Sequence, residues 1–303
     1  MNSTQKFMCL PNPLPDIYRS NSVDSAVNNY IRTLSRELKK NPSDLKLQLM
    51  LNACRDYLSL TSSKKITSRN RKYFNAIHQY TVKNHKDTFV KTIARTKSWI
   101  SFFYKCIIKL QKNISLDSIR DIYACRTILD STEGKDTEDL IKKCYEVMDE
   151  NIKYFIKLGF TPCDSEPLKD TEGFDAEKYP DLIVPERSYL SPENIPYVKD
   201  YIRYPKANSY QSLHVILKDT YGIYFEYQVR TYSMDINAEV GASSHVTYKD
   251  QQKKKRLIPK LEIERSKINM HGYRCGSNNT LLADDAGIEK SVSVLHRTYR
   301  VNS

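Results

Sequence analysis

A chain of 303 residues can bury the core of one large domain or two small ones, and this one carries 48 Lys and Arg against 36 Asp and Glu, a formal charge of +12. That excess attracts polyanions, so nucleotides, nucleic acid and anionic surfaces are the favoured partner classes. The seven cysteines lie scattered without a CxxC pair or zinc-type spacing, and no run of about 18 apolar residues occurs; a disulfide scaffold, a zinc module and a membrane span are disfavoured, and a reducing, cytoplasmic setting is expected.

Residues 1–22 hold three prolines and no apolar period, which reads as an extended lead-in. Val23, Val27, Ile31, Leu34 and Leu38 recur at helical spacing up to about Lys40, and a second such run, Leu45 to Leu60, follows the break at NPSD. Tyr73 to Val82 and Phe89 to Leu110 are read as third and fourth helices, with 23–88 forming a helical N-terminal extension. IYACRTIL, from Ile122, reads as a strand, and Leu140 to Leu158 as a helix closed by Gly159. After a loop rich in Pro, Asp and Glu, SLHVILKD and IYFEYQVRT alternate and are joined through Gly222, a hairpin signal. The predicted fold is α+β, a mixed sheet flanked by helices, with a main domain over 89–250 and a basic extension over 251–303.

Three constellations stand out. Arg95 and Lys97 open the predicted helix, and Lys97, Ser101 and Lys105 would share one stripe at i, i+4 and i+8; a phosphate site and a solvated basic face both explain this. Asp121 opens the strand that carries Arg126. A carboxylate beside a basic groove suits Mg²⁺, but residues five apart share a face only if Asp121 precedes regular pairing or a bulge intervenes. In the hairpin, Glu226, Gln228 and Arg230 alternate with Phe225, Tyr227 and Val229, so an acid, an amide and a guanidinium form a row facing either solvent or a cleft. The partner strand puts Leu213, Val215 and Leu217 on one face and His214 and Ile216 on the other.

Taken in order, Arg95-x-Lys97 with Ser101 and Lys105, Asp121 with Arg126, YIRYPKANSYQSLH (Tyr201 to His214), EYQVRT and MDINAEVGASSHVTYK (Met234 to Lys249) resemble the synthetase domain of the RelA/SpoT family of nucleotide pyrophosphokinases, over about half the chain. The resemblance implies a nucleotidyltransferase-like domain that moves pyrophosphate from ATP to the 3′-hydroxyl of GTP or GDP, making the alarmones pppGpp or ppGpp and releasing AMP. It implies that Arg95 and Arg126 clamp the adenine, that Lys97, Ser101 and Lys105 contact the ATP phosphates, and that Asp121 and Glu226 hold Mg²⁺. Glu226 would also be the base, oriented with the acceptor by Gln228 and Arg230. Tyr210 would stack on the acceptor base, Lys206 and Asn208 would hold its phosphates or edge, and His214 its phosphates.

Ser209 stands where the family has glycine, and serine takes positive φ less readily, so a different loop backbone is expected there. Asp235 replaces a histidine; Ser243, Ser244 and Val246 depart at packing positions. The dipeptide HD, part of the family's hydrolase signature, is absent, so a small monofunctional synthetase is expected, with the homotetramer common among such enzymes and an antitoxin as further candidates. Two other readings stay open: a toxic synthetase that modifies the 3′ end of tRNA or adenine nucleotides, which the Lys253 to Arg256 run would suit, and an inactive RNA-binding module.

Overall fold

The structure, a computed structural model, describes residues 10–11, 20–130, 136–165, 168 and 174–239, together with two short strands near the C-terminus. Most of the lead-in, Ser243, Ser244, Val246 and the Lys253 to Arg256 run lie outside the described residues. The chain divides into two compact units, one of 1–71 and 97–122, the other of 72–96 and 123–303. Residues 97–122 therefore cluster with the N-terminal helices.

In the first unit, α1 (Val23–Lys40) starts at Ser22, whose side chain accepts from Ser25 N, and α2 (Leu45–Thr61) starts at Asp44, which accepts from Lys46 N and Leu47 N. These side chains satisfy amide donors that the first helical turn leaves unbonded. α3 (Lys64–Asn84) begins in this unit and continues into the second, extending well beyond the predicted Tyr73 to Val82. The core gathers around Trp99, whose ring lies 5.8 Å from Tyr30 and 5.4 Å from Tyr57.

The predicted helix over Phe89 to Leu110 is corrected. Phe89–Thr96 is a strand, β1, and a separate helix, α4 (Trp99–Gln111), follows. Val90, Thr92, Ile93 and Thr96 are β-branched and favour the extended state, and Ser98 begins the helix afresh by accepting from Ser101 N at 3.3 Å. Lys97 therefore precedes the helix and cannot belong to an i, i+4, i+8 stripe.

The second unit is built on a mixed sheet. Its remaining elements are β2 (Tyr123–Asp130), α5 (Glu138–Lys157), β3 (Thr161–Pro162), β4 (Val198–Asp200), β5 (Leu213–Lys218), β6 (Tyr224–Thr231), α6 (Tyr232–Glu239), β7 (Tyr273–Arg274) and β8 (Thr280–Leu282). The strand order is β3-β5-β6-β2-β1-β8-β7, with β4 also on β5. β1/β2 and β5/β6 run antiparallel, β2/β6 and β1/β8 parallel. The α+β class and the hairpin are as predicted. Gly222, at φ 79, closes the hairpin, and Gly159, at φ 90, follows the end of α5; both are left-handed positions that favour glycine.

One sheet face is apolar: Leu213, Val215, Leu217, Phe225, Tyr227 and Val229 are all buried. It packs on α5 through Phe155, 5.2 Å from the Tyr227 ring and 5.8 Å from Phe225. The Tyr227 hydroxyl donates to Thr127 Oγ1 at 2.7 Å and accepts from Asn151 Nδ2 at 2.5 Å, so its polar tip is satisfied inside the core. On the same helix, Asp149 accepts from Ser191 N (2.8 Å), Ser191 Oγ (2.7 Å) and Asn194 Nδ2 (2.8 Å). Asp149→Ala strips three donors of their acceptor and is expected to cost about 3 kcal/mol. The measurement is thermal melting, and an unchanged midpoint would show that the loop is not tied down through Asp149. No helix among the described residues is long and apolar enough to cross a membrane.

Candidate active site

In the first unit, Asp121 lies two residues ahead of β2, so the condition of preceding regular pairing is met. Lys97 Nζ stands 3.2 Å and Lys105 Nζ 2.7 Å from its Oδ2. Lys97 and Asp121 are both buried, which strengthens their attraction relative to a surface pair. The Lys97 backbone is fixed at both ends, its N–H on Ile122 O at 2.7 Å and its carbonyl accepting from the Tyr57 hydroxyl at 2.8 Å. Ser101 is buried one turn into α4. Two lysines, a carboxylate and a hydroxyl thus gather near the start of α4, with a net charge of +1, a composition suited to phosphate.

In the second unit, strand register assembles the rest. Arg126 on β2 pairs with Gln228 on β6, Gln228 with His214 on β5, and His214 with Lys199 on β4. Paired residues face the same side, so these four form a row across the sheet, opposite the apolar face. Two residues along, Arg95 pairs with Ala124 and Ala124 with Glu226. Arg95 and Arg126 are therefore diagonal neighbours on one face, about 7–8 Å apart at Cα, within reach of long side chains. Arg95 and Lys97 belong to different units, one on the sheet and the other ahead of α4.

Along this face Gln228 Nε2 donates to Glu226 Oε2 at 2.7 Å, and His214 Nδ1 lies 3.3 Å from Glu226 Oε1. The Tyr210 hydroxyl is 2.9 Å from His214 Nε2, and Arg230 Nη1 donates to it at 3.4 Å. Arg230 is buried; its Nε donates to Asp235 Oδ1 at 2.8 Å, and its Nη2 bonds the same oxygen and Glu239 Oε1, the latter at 3.3 Å. Arg126 pairs with the same two carboxylates, at 3.4 Å to Asp235 and more closely to Glu239. The Glu226, Gln228 and Arg230 row lies in a hydrogen-bonded network, with Gln228 and Arg230 buried. Lys206 Nζ sits 4.4 Å from the Tyr201 ring and 4.8 Å from the Tyr210 ring, and Tyr210 meets His214 edge to face at 81°.

Residues 183–253 match the family model described as the region found in RelA / SpoT proteins. The chain contains a RelA/SpoT region. Over 53 residues, 18% of this chain, it is 51% identical to the bifunctional (p)ppGpp synthase/hydrolase SpoT of Escherichia coli (strain K12), covering 8% of that protein. Over 184 residues, 59% of the chain, it is 29% identical to a guanosine-3′,5′-bis(diphosphate) 3′-pyrophosphohydrolase of Spiroplasma citri, covering 18% of it. The chain thus spans less than a fifth of these relatives' length. A crystal structure of small alarmone synthetase 1 from Bacillus subtilis bound to its product pppGpp aligns with 81% of this chain and 94% of its own, at 15% identity and a TM-score of 0.33.

The RelA/SpoT region includes Lys206, Asn208, Tyr210, His214, Glu226, Gln228 and Arg230; Arg95, Lys97, Ser101, Lys105, Asp121 and Arg126 lie ahead of it. Against expectation, Ser209 adopts the left-handed backbone, at φ 62. Asn237 Nδ2 donates to both the Ser209 carbonyl and its Oγ at 3.1 Å, and these bonds offset the cost that a side chain brings at positive φ. Asp235, noted above only as a departure from the family's histidine, and Glu239, not singled out at all, are the carboxylates that take hold of both arginines. Their spacing of four on α6, just after EYQVRT, is the signal that could have revealed them. Lys199 had no such signal, since its place depends on β4 pairing with β5.

Burial lowers the pKa of His214 within the RelA/SpoT region, with the Glu226 charge opposing. Below the ordinary value of about 6.5, the unfolded chain then binds more protons at this residue than the folded one. This contribution to stability is complete above about pH 6.5 and is lost as pH falls toward the folded pKa. Wild-type stability minus that of His214→Gln is therefore expected to be larger at about pH 7.5 than at about pH 5. Urea midpoints at the two pH values measure it, and equal differences would contradict the direction.

Proposed function

We propose that the chain transfers pyrophosphate from ATP to the 3′-hydroxyl of a guanine nucleotide, GTP or GDP, giving pppGpp or ppGpp and AMP. One observation carries the reading: within the RelA/SpoT region, Glu226 is flanked on a single sheet face by His214 and Gln228, both of which engage its carboxylate. The 3′-oxygen forms a bond to the β-phosphorus, the bond between that phosphorus and the oxygen bridging to the α-phosphate breaks, and AMP departs. Glu226 takes the hydroxyl proton. Gln228 and His214 hold the carboxylate in one orientation, so that no reorganisation is needed when the proton moves.

Lys97, Ser101 and Lys105 make the first unit's cluster suited to phosphate, and in this reading Arg95 and Arg126 stack on adenine through their planar faces. The edge contacts of Arg126 with Asp235 and Glu239 are compatible with that. Lys206, Asn208 and the Tyr210 ring serve the acceptor. Glu226 offers carboxylate oxygens, the hard donors that Mg²⁺ takes, and an ion bound there would draw charge from phosphate oxygens; Asp121, in the first unit, carries a carboxylate of the same kind.

The test is transfer of label from ATP carrying radioactive β- and γ-phosphates to GTP, GDP, ATP or deacylated tRNA, each offered separately with Mg²⁺. Label in the guanine nucleotides alone is expected. Label in tRNA or in ATP would replace the acceptor, and no transfer to any of them would overturn the enzymatic reading.

A further inference from the structure

Arg230 was expected to orient the base and the acceptor directly, yet the structure commits its N–H groups elsewhere. Its Nε and Nη2 go to Asp235, Nη2 also reaches Glu239, and Nη1 points at the Tyr210 hydroxyl. Arg230 and Asp235 are both buried, at 2% and 3% exposure, and burial of the charged guanidinium is tolerated because two carboxylates meet it. The contacts continue from Tyr210 to His214 Nε2 at 2.9 Å and from His214 Nδ1 to Glu226 at 3.3 Å.

The direction of donation along this series is set at its ends. A guanidinium can only donate, so the Tyr210 oxygen accepts from Arg230 and its own proton is directed away from Arg230. An ionised carboxylate can only accept, so the nitrogen facing Glu226, Nδ1, carries the imidazole proton. A neutral His214 protonated at Nδ1 leaves Nε2 as an acceptor, which is what the Tyr210 hydroxyl meets. Every link is then a donor against an acceptor, and reversing any one of them puts two donors or two acceptors face to face.

We propose that Asp235, Arg230 and the Tyr210 hydroxyl form a positioning chain that holds His214 in its Nδ1-protonated tautomer and thereby aims the Glu226 carboxylate. The proposal rests on the reading of Glu226 as the base. It divides Tyr210 into two parts, a ring that serves the acceptor and a hydroxyl that serves the base. Asp235 touches no reacting group and acts through three side chains.

Tyr210→Phe separates the parts, because phenylalanine keeps a ring able to stack but has no hydroxyl. Its expected effect is a fall in kcat of about 10-fold to 100-fold, typical of a lost orienting partner, with the KM for GTP little changed. Nitrogen-15 NMR of the folded protein, which needs no activity, should show His214 protonated at Nδ1 in the wild type and as a mixture of tautomers in Tyr210→Phe. Asp235→Asn, if it folds, should move His214 in the same direction. A wild-type His214 protonated at Nε2, or a tautomer unchanged in Tyr210→Phe, overturns the chain whether or not label is transferred. A wild type that transfers no label but shows the tautomer shift overturns the enzymatic reading alone.

Discussion

Glu226→Gln is expected to lower pyrophosphate transfer by about 10³-fold, within the range of 10²–10⁴ that a positioned general base contributes. The substitution keeps the shape of the side chain but replaces a proton acceptor with an amide. Gln228 donates to Oε2 at 2.7 Å and His214 Nδ1 faces Oε1, so whichever oxygen becomes the amide nitrogen meets a donor and the row rearranges locally. The surrounding sheet is held by β2 and β5 on either side of β6, and the melting temperature should change little. Single-turnover transfer of labelled pyrophosphate together with thermal melting checks both statements. Near wild-type turnover would remove Glu226 from the chemistry, and a large loss of stability would mean that the row is structural.

The second large effect belongs to the core. Phe155→Ala is expected to destabilise the protein by about 3–5 kcal/mol, the usual range for removing a fully buried aromatic ring. Phe155 is 0% exposed, and its ring meets those of Phe160 at 5.2 Å, Phe225 at 5.8 Å and Tyr227 at 5.2 Å. Two rings fixed on β6 and a third just ahead of β3 cannot collapse into the space it leaves without losing contacts elsewhere, so both the transfer and the cavity penalties apply. Domains are commonly stable by about 5–15 kcal/mol, so the loss is a large share of the total. Urea unfolding followed by circular dichroism reads it, and a loss below about 1 kcal/mol would mean that the site repacks.

What the residues reveal before folding depends on whether the information is local. α1 could be read to its ends because its apolar residues keep a helical period. The hairpin was equally plain, since alternation and Gly222 both lie within a short window. β1 was hidden because it has sheet neighbours on both sides, β2 and β8, and Val90, Ile93 and Ala94 make it apolar enough to run into the apolar α4 as though both were one helix. The candidate residues were found one by one, but their arrangement was not. The row from Arg126 through Gln228 to His214 exists because β2 pairs in parallel with β6, and no local pattern encodes that pairing. The commitment of both arginines to Asp235 and Glu239 was hidden for a similar reason, since α6 contributes to the face only once β6 has delivered it there.

That same parallel pairing sets the order in which the molecule acquires its parts. Thr127 and Tyr227, bonded across β2 and β6, are 100 residues apart in sequence, and closing so large a loop costs entropy before any contact repays it. During synthesis the helices and β2 emerge with partners close at hand, whereas the strand that carries Glu226, Gln228 and Arg230 must leave the ribosome and find β2 before the polar face exists at all. A nascent chain halted before β6 is already well furnished with helix yet lacks the acid, the amide and the guanidinium altogether, so the polar row is completed only when β6 closes on β2.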